Sequence, residues 1–399
     1  MSTPVDFLDW SSILPELIWK ISTHIRIHSD YIRFRAVCVA WRSSTPATPT
    51  HLPCQLPWLV LPRGTQHHHH HRFPDYHLSF LNLVNYKRHI LRLPVAFHRH
   101  RRCRGSSHGW LVILEDSPSV FVFNPLTGTK LNLPPLSSFP HVSRFDYAQI
   151  GREYLLLLDD NLSVTFNLKQ MREFVKKIVL SDSPSRDPDF TAVSILYGTG
   201  ELVFCKAGQT QWTVIPGIRN FSEDVIFLNG LVYALNKNGS IAICDVDGDS
   251  PGVLRLVDAT GANEGGDTHY LVAARGELLL VTRYFDLGNE YDTFETRKFR
   301  VCRLDSGGNK WERVMDLGDI ALFVGGSSSL ALSSTDFPAG CKGNRIYFTD
   351  DDDCVYEDHT GGGDHDLGIF SLEDGSIERL PCYARDSISR PVWITPNPC

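Results

Sequence analysis

Apolar residues near the N-terminus recur with the period of an α-helix. Steps of three and four place one set on a single helical face, comprising Leu14, Leu17, Ile18, Ile21 and Ile25. Pro15 stands in the first turn, where a helix accepts proline because that N–H has no intrahelical partner. Ser29 and Asp30 offer capping oxygens for a second helix. The pattern predicts two or three short amphipathic helices in this stretch.

The second helical stretch shows the same spacing of apolar positions, at Phe34, Val37, Cys38 and Trp41. So few residues cannot bury several apolar faces by themselves, because a small unit keeps a large surface relative to its volume. The helices are therefore expected to pack on one another and on a partner.

From Trp58 onward the pattern changes to short strands. Runs such as WLVL, GWLVIL and SVFVFNP are rich in β-branched and aromatic residues and are separated by Gly, Asn, Asp and Pro. No comparable helical pattern interrupts them in the sequence. Many short strands at even spacing predict a mostly β protein, built as a sandwich, a barrel or a propeller.

A weak internal repeat favours the propeller. Units that begin near Gly109, Gly200, Gly276 and Asn344 each read as a strand, a second strand ending in a turn, and a third strand with Trp or Leu. Their length of roughly 40 to 50 residues is typical of kelch-like blades. We therefore predict six or seven blades. Closure should come from pairing of the apolar residues within 390–396 with an N-terminal strand, because closure removes exposed sheet edges.

Composition narrows the class of function. With 399 residues, of which 42% are hydrophobic and 21% charged, the chain can bury a large core. A net charge of −7 argues against a generally nucleic-acid-binding surface. No apolar run reaches membrane-spanning length, and no secretory signal is visible at the N-terminus. The ten cysteines form no CxxC pair, which is typical of a reducing compartment, so we expect the nucleus, the cytoplasm or both.

The helical stretch resembles an F-box. That family has a leucine–proline opening, an aliphatic helix and a closing segment with valine, cysteine and tryptophan; Leu14-Pro15 and Val37-Cys38-x-x-Trp41 match it here. The resemblance implies docking on the Skp-type adaptor of an SCF ubiquitin ligase. The residues it assigns to adaptor binding, or to bracing that surface, are Leu14, Pro15, Leu17, Ile18, Ile21, Val37, Cys38 and Trp41.

The strand-rich part resembles plant F-box proteins with a C-terminal kelch-like propeller of the KIB type. Residues 344–350, 368–375 and 390–396 carry this resemblance. It implies an F-box over residues 5–45, a linker rich in Pro and Thr over 46–56, and a propeller over 57–399. The propeller would hold a protein target for ubiquitination and degradation, while cullin and RING subunits join through the adaptor. The sequence assigns no substrate-binding residue, and loops at one propeller face are expected to carry recognition.

One short motif suggests an enzyme instead. Residues 105–109 match the GxSxG nucleophile-elbow pattern around Ser107. A hydrolase needs a strand before this serine and a helix after it, whereas a basic segment precedes it and the strand-like WLVIL follows. We therefore predict a non-catalytic adaptor subunit. A serine hydrolase at Ser107 and a protein-binding propeller outside any ligase remain the alternatives.

Several clusters of charged residues, or of residue types that can bind metals, are interpreted as solvated loops. They are the histidines 67–71, the basic block 99–104, the aspartates 350–353, and Asp245, Asp247 and Asp249. The last group lacks the glycine and glutamate that an EF-hand calcium loop requires. No phosphate-binding or dinucleotide motif is present in the sequence, so no cofactor is expected.

Overall fold

The computed structural model describes residues 9–47, 49, 51–52, 55–61, 77–84, 86–93, 102–158, 162–248, 250–258, 260–262, 265–287, 294–350, 366–380 and 391–397. The histidines 67–71, Asp249 and the aspartates 351–353 lie outside these residues, as do residues 99–101 of the basic block.

Three short α-helices come first, and one more interrupts the strands. They are α1 (Pro15–Ser22), α2 (His28–Arg35), α3 (Val39–Ser43) and α4 (Leu168–Glu173). Two single-turn 3-10 helices accompany them, at Trp10–Ser12 and Leu136–Ser138. The predicted order of helices followed by strands is therefore confirmed.

The strands form seven sheets in the part of the chain that the structure describes. The first half holds β1 (Trp58–Leu61), β2 (His77–Asn82), β3 (Arg88–Arg92), β4 (Arg102–Ser107), β5 (Trp110–Leu114), β6 (Val120–Phe123), β7 (Lys130–Leu133), β8 (Val142–Phe145), β9 (Tyr154–Leu157), β10 (Ser163–Phe166), β11 (Val175–Leu180), β12 (Thr191–Leu196), β13 (Leu202–Lys206) and β14 (Thr213–Val214). The second half holds β15 (Asp224–Leu228), β16 (Leu231–Leu235), β17 (Ile241–Asp245), β18 (Gly252–Val257), β19 (Thr268–Ala274), β20 (Glu277–Leu287), β21 (Phe294–Leu304), β22 (Trp311–Val314), β23 (Ile320–Val324), β24 (Leu330–Ser333), β25 (Arg345–Phe348), β26 (Gly368–Ser371), β27 (Ile377–Arg379) and β28 (Val392–Ile394).

Six of these sheets form a ring of blades. Blade 1 has the order β28-β1-β2-β3, and blades 2 to 5 are β4–β7, β11–β14, β15–β18 and β19–β22. Blade 6 has the order β24-β23-β25-β26-β27, in which β23 and β25 are parallel. Inner strands of successive blades contact one another, from β28 to β4, β11, β15, β19 and β24. The mostly β, propeller prediction is confirmed, and the described residues form a ring of six blades.

The seventh sheet is an insertion between blades 2 and 3, which we call the insert sheet (β8–β10). It does not separate the inner strands of those blades, because β4 contacts β11 directly. Gly105 makes this approach possible: a Cβ there would lie 2.0 Å from the Ile178 carbonyl oxygen. Tyr154 and Leu156 of the insert sheet are fully buried in the core that blades 2 and 3 share.

Blade 1 closes the ring by joining the two ends of the strand-rich region. β28 pairs antiparallel with β1, with Trp393 opposite Leu59, as the closure prediction required. The chain then crosses to blade 2, where Asn397 donates its side-chain amide to the His108 carbonyl. The Asn397 carbonyl in turn accepts a hydrogen bond from the Asn124 side chain. The last described residues therefore bind blades 1 and 2 together.

Four buried tryptophans connect neighbouring blades. Four buried indoles each donate their N–H to a neighbouring blade, so the side chain contributes apolar area and its polar group is also satisfied. The bonds are Trp110 to Ser183 Oγ (3.3 Å), Trp212 to Pro134 O (2.9 Å), Trp311 to Gly239 O (2.8 Å) and Trp393 to Val324 O (3.2 Å).

Buried ion pairs also connect the blades. Lys177 of blade 3 lies 2.5 Å from Asp224 of blade 4, and the same carboxylate accepts the backbone N–H of Leu271 in blade 5. Arg283 of blade 5 is fully buried and pairs with Asp366, which lies just before β26 of blade 6. Removing one partner would leave an uncompensated buried charge, so these pairs are expected to specify the order of blades rather than to carry chemistry.

Candidate functional site

Exposed apolar side chains concentrate on the N-terminal helices. Of the 21 large hydrophobic residues that are exposed in the described part of the chain, nine lie within these few turns. They are Trp10, Leu14, Leu17, Trp19, Ile21, Ile27, Ile32, Val37 and Val39. Such a concentration of exposed apolar side chains in one short segment is typical of an interaction site, because folded proteins rarely leave large apolar areas open to water.

Helix α1 and its N-cap residue Leu14 present three of the predicted residues to solvent. Leu14, Leu17 and Ile21 are 62%, 51% and 46% exposed, and their spacing of three and four places them on one side of the helix. Pro15 occupies the first turn as predicted and is also exposed. These four residues form what we call the α1 face.

Ile18 does not belong to that face. The sequence pattern grouped it with its aliphatic neighbours, but its side chain is fully buried. Each residue turns about 100° around a helix, so Ile18 lies at the edge of the stripe next to Ser22, which is also buried. The prediction that Ile18 contacts a partner is corrected: this residue packs α1 into the helical unit and thereby holds the α1 face outward.

The second apolar stretch is two helices rather than one. Helix α2 ends at Arg35 and α3 begins at Val39, with Val37 and Cys38 in the turn between them. Cys38 is the N-cap of α3, and its Sγ accepts the backbone N–H of Trp41 at 3.5 Å. Val37 is 57% exposed. Cys38 is partly buried, and its Sγ is engaged in the capping hydrogen bond.

Trp41 holds the three helical segments together. Its ring packs against Phe34 of α2, with centroids 4.4 Å apart. Its indole N–H donates to the Trp10 carbonyl at 2.9 Å. This arrangement agrees with a bracing role for Trp41 and leaves Val37 as the accessible residue of the turn.

The N-terminus of α2 is capped from a distance. Ser29 and Asp30 were expected to cap it, but the helix begins at His28, after Ile27, which offers no side-chain cap. Instead Gln55 Oε1 accepts the His28 backbone N–H at 2.9 Å, and Gln55 Nε2 donates to the Arg26 carbonyl at 3.0 Å. A residue that lies far along the chain therefore supplies the acceptor that a local Ser or Asp usually provides.

The segment predicted as a linker is packed where the structure describes it. Gln55 and Leu56 are each only 7% exposed, and Leu56 lies in an apolar cluster with blade 1 and blade 6 residues. Arg26 also reaches Asp336 of blade 6 at 3.2 Å, although this exposed pair contributes little energy. The helical unit is therefore seated on the propeller beside blades 1 and 6.

Ser107 lacks the geometry of a nucleophile elbow. It ends β4 and is followed by the tight hairpin turn His108–Gly109, in which both residues have positive φ, rather than by a helix. Its hydroxyl is buried, lies 2.6 Å from Ser328 Oγ, and accepts the backbone N–H of Leu180. These contacts are those of a hydroxyl that joins blades 2, 3 and 6.

The other candidate clusters are structural where they are described. Asp245 accepts the backbone N–H groups of Asp247 and Gly248, which lowers the pKa of its carboxyl and defines a turn. Arg104 and Asp350 are buried, so the interpretation of their segments as solvated loops is wrong at these two positions. Among the described residues, no group of three or more His, Cys, Asp or Glu side chains is arranged to hold a metal ion. No helix in the described ranges is long and apolar enough to cross a membrane.

Comparison with known proteins agrees with this architecture. Residues 80–371 match the model of the KIB1-4 beta-propeller family. The chain is 29% identical to F-box protein SKIP23 of Arabidopsis thaliana, over 97% of this chain and 96% of that protein. It is 27% identical to F-box protein At2g17036, over 97% and 95%, and 24% identical to F-box/kelch-repeat protein At1g57790, over 97% and 94%, both of the same plant.

Among solved structures, the propeller domain of Myceliophteria thermophila Cps50 (Swd1) shares 10% identity at a TM-score of 0.36, covering 84% of this chain and 90% of that one. The family match spans most of the blades, and the relatives named F-box proteins extend over the helical unit as well. The chain therefore belongs to the KIB1-4 beta-propeller family, and it resembles plant F-box proteins over nearly its whole length.

Proposed function

We propose that this protein is a substrate-recognition subunit of an SCF-type E3 ubiquitin ligase. The α1 face carries the proposal: Leu14, Leu17 and Ile21 are exposed together, at the positions where an F-box binds its adaptor. Burial of three such side chains in an interface would stabilise a complex by several kcal/mol, at about 1.5–3 kcal/mol for each fully buried side chain. The names of the relatives support the same assignment.

The proposed mechanism is positional. The α1 face and Val37 bind a Skp-type adaptor, which connects the chain to cullin and RING subunits. The propeller holds a protein substrate, and because the packed Gln55–Leu56 segment seats the helices on the propeller, the substrate is presented at a defined distance from the ligase. Holding the reactants together raises their effective concentration, so no residue of this chain needs to break a bond. The proposed location is the nucleus, the cytoplasm or both.

Adaptor binding is the direct test. The double variant Leu14→Ala with Pro15→Ala removes an exposed anchor and the residue that starts α1. Truncated interface anchors typically cost about 2 kcal/mol, so adaptor affinity should fall by at least about tenfold. The thermal transition of the propeller should not change, because both residues are exposed.

Two control variants make this result interpretable. Leu254→Ala removes an equally exposed leucine from β18, far along the chain, and should leave adaptor binding unchanged. Ile18→Ala removes a buried side chain and should weaken binding indirectly by loosening the helical unit. Wild-type adaptor affinity in the double variant would contradict the F-box assignment and would favour a binding protein outside any ligase.

A further inference from the structure

An open cleft of about 430 Å³ lies where the insert sheet meets blade 3. Its apolar surface comes from Phe139, Pro140, Val142, Trp212 and Val214. The remaining described lining residues are Ser or Thr hydroxyls and one glutamine amide, so the lining contains no charged side chain among the described residues. The volume falls in the range of protein binding sites.

The floor of the cleft is held rigidly. Phe139 and Trp212 are 2% and 3% exposed, and their rings meet edge to face with centroids 5.3 Å apart. The Trp212 indole N–H donates to the Pro134 carbonyl of blade 2, which fixes the ring orientation. The partly buried Val142 and Val214 pack against this rigid core, so a ligand that binds against the two valines would not have to order the cleft.

Two sheet edges border this cleft. Strand β8 is an edge strand of the insert sheet and β14 is an edge strand of blade 3, and each contributes a valine to the lining. The Ile215 N–H donates to the Leu202 carbonyl. Along an antiparallel ladder, hydrogen-bonded and non-hydrogen-bonded residue pairs alternate. Val214 follows the pattern as a non-hydrogen-bonded residue, so its N–H and C=O are directed away from β13, toward the unpaired edge of β14.

We propose that this cleft is a substrate-docking site that binds an extended, uncharged segment of a partner protein. The segment adds as a strand along β14, where it pairs with the outward backbone groups of Val214. An apolar side chain of the segment packs against Val142 and Val214, which line the cleft and are only partly buried. This inference rests on the proposed function in that the partner is the protein destined for ubiquitination.

The chemistry of the lining selects this occupant. A charged side chain would lose water in the cleft without gaining an ion pair from the described lining, which is unfavourable. An extended backbone, in contrast, finds a donor and an acceptor at the edge of β14, as in other complexes formed by strand addition. The hydroxyl and amide groups of the rim suit the polar backbone of such a segment.

A proline at the sheet edge tests the proposal. Val214→Pro removes the outward N–H and obstructs strand addition, but it leaves the ladder bonds of Thr213 and Ile215 in place, and an edge strand tolerates proline at such a position. Asn132→Pro is the matched control. Asn132 lies on β7, the outer strand of blade 2. The Asn124 N–H donates to the Thr129 carbonyl, and hydrogen-bonded and non-hydrogen-bonded pairs alternate along the ladder from there. The Asn132 N–H therefore also points away from β6.

The probe is a phage-displayed library of random peptides selected on the purified full-length protein. We expect uncharged binders with apolar residues at alternate positions, whose affinity falls at least about tenfold in Val214→Pro and is unchanged in Asn132→Pro. Amide hydrogen exchange in residues 211–215 should slow when such a peptide binds. Adaptor binding, measured in parallel, should be the same for all three proteins, so a failed F-box assignment would be recognised separately.

Three results would overturn the proposal. The selection could return no binders, or binders dominated by charged residues. The selected peptides could bind Val214→Pro as tightly as wild type. They could also leave the exchange of residues 211–215 unchanged, which would place their site elsewhere on the propeller.

Discussion

Removal of the closing strand should unfold the propeller. Truncation after Ser389 deletes β28, which pairs with β1 and supplies the innermost strand of blade 1. It also deletes Asn397, which links blades 1 and 2. The shortened chain would keep every other blade, so any loss of stability reports on closure itself.

The size of the effect follows from burial. Val392, Trp393 and Ile394 are 4%, 1% and 3% exposed. Each fully buried apolar side chain contributes about 1.5–3 kcal/mol, so the three together contribute roughly 5–9 kcal/mol. That sum is comparable to the whole free energy of unfolding of a typical domain, about 5–15 kcal/mol. The truncation also uncovers the edge of β1, which promotes aggregation.

Thermal unfolding followed by circular dichroism, together with the soluble yield, measures the outcome. We expect the truncated protein to be insoluble or to melt far below wild type. A protein shortened after Asn397 retains the closing strand and should behave as wild type. Trp393→Phe should give an intermediate loss of stability, because it keeps an aromatic ring but loses the hydrogen bond to the Val324 carbonyl. An unchanged transition in the Ser389 truncation would refute the closure argument.

Three further predictions concern individual side chains. Gln55→Ala should speed amide exchange at His28 and destabilise α2 by about 1 kcal/mol, because the remote cap is lost, whereas Gln55→Glu keeps the accepting oxygen and should retain most of the protection. Burial raises the pKa of the Cys244 thiol to about 12 and that of Cys341 to about 11, so both should resist alkylation at pH 8 until the protein is unfolded; rapid labelling of the native protein would contradict their burial. Replacing the histidines 67–71 by Ser and Gly should leave the melting temperature nearly unchanged, with or without a chelator, and a chelator-induced loss seen only in wild type would indicate a metal site.

Local sequence patterns predicted the helices better than their ends. The spacing of aliphatic residues correctly located α1, and Pro15 correctly marked its start. The predicted start of α2 was wrong, because its capping acceptor is the side chain of Gln55, to which the His28 backbone N–H donates and which no local motif could reveal. Ile18 was assigned to the wrong side because a stripe of aliphatic residues has two edges, and only packing decides which edge faces inward.

The repeat predicted a closed ring but left the blade number open. Each blade needs apolar strands and tight turns, and the insert sheet uses the same residue types, so its three strands resemble a blade in sequence. The structure excludes it from the ring because β4 contacts β11 past Gly105. The cleft beside it was not visible in the sequence, since Phe139 and Trp212 come from segments that are distant along the chain.

By itself, the sequence determined the class of the fold, the order of the helical unit and the strands, and the pairing that closes the ring. These features depend on the periodicity of apolar residues and on turn residues, both of which act over a few positions. Only the tertiary structure decided which aliphatic residues remain exposed on α1, how Gln55 seats the helices, and where the insert sheet opens a cleft beside β14. Those features arise from contacts between residues far apart in the chain, which depend on the relative placement of whole elements rather than on local propensity.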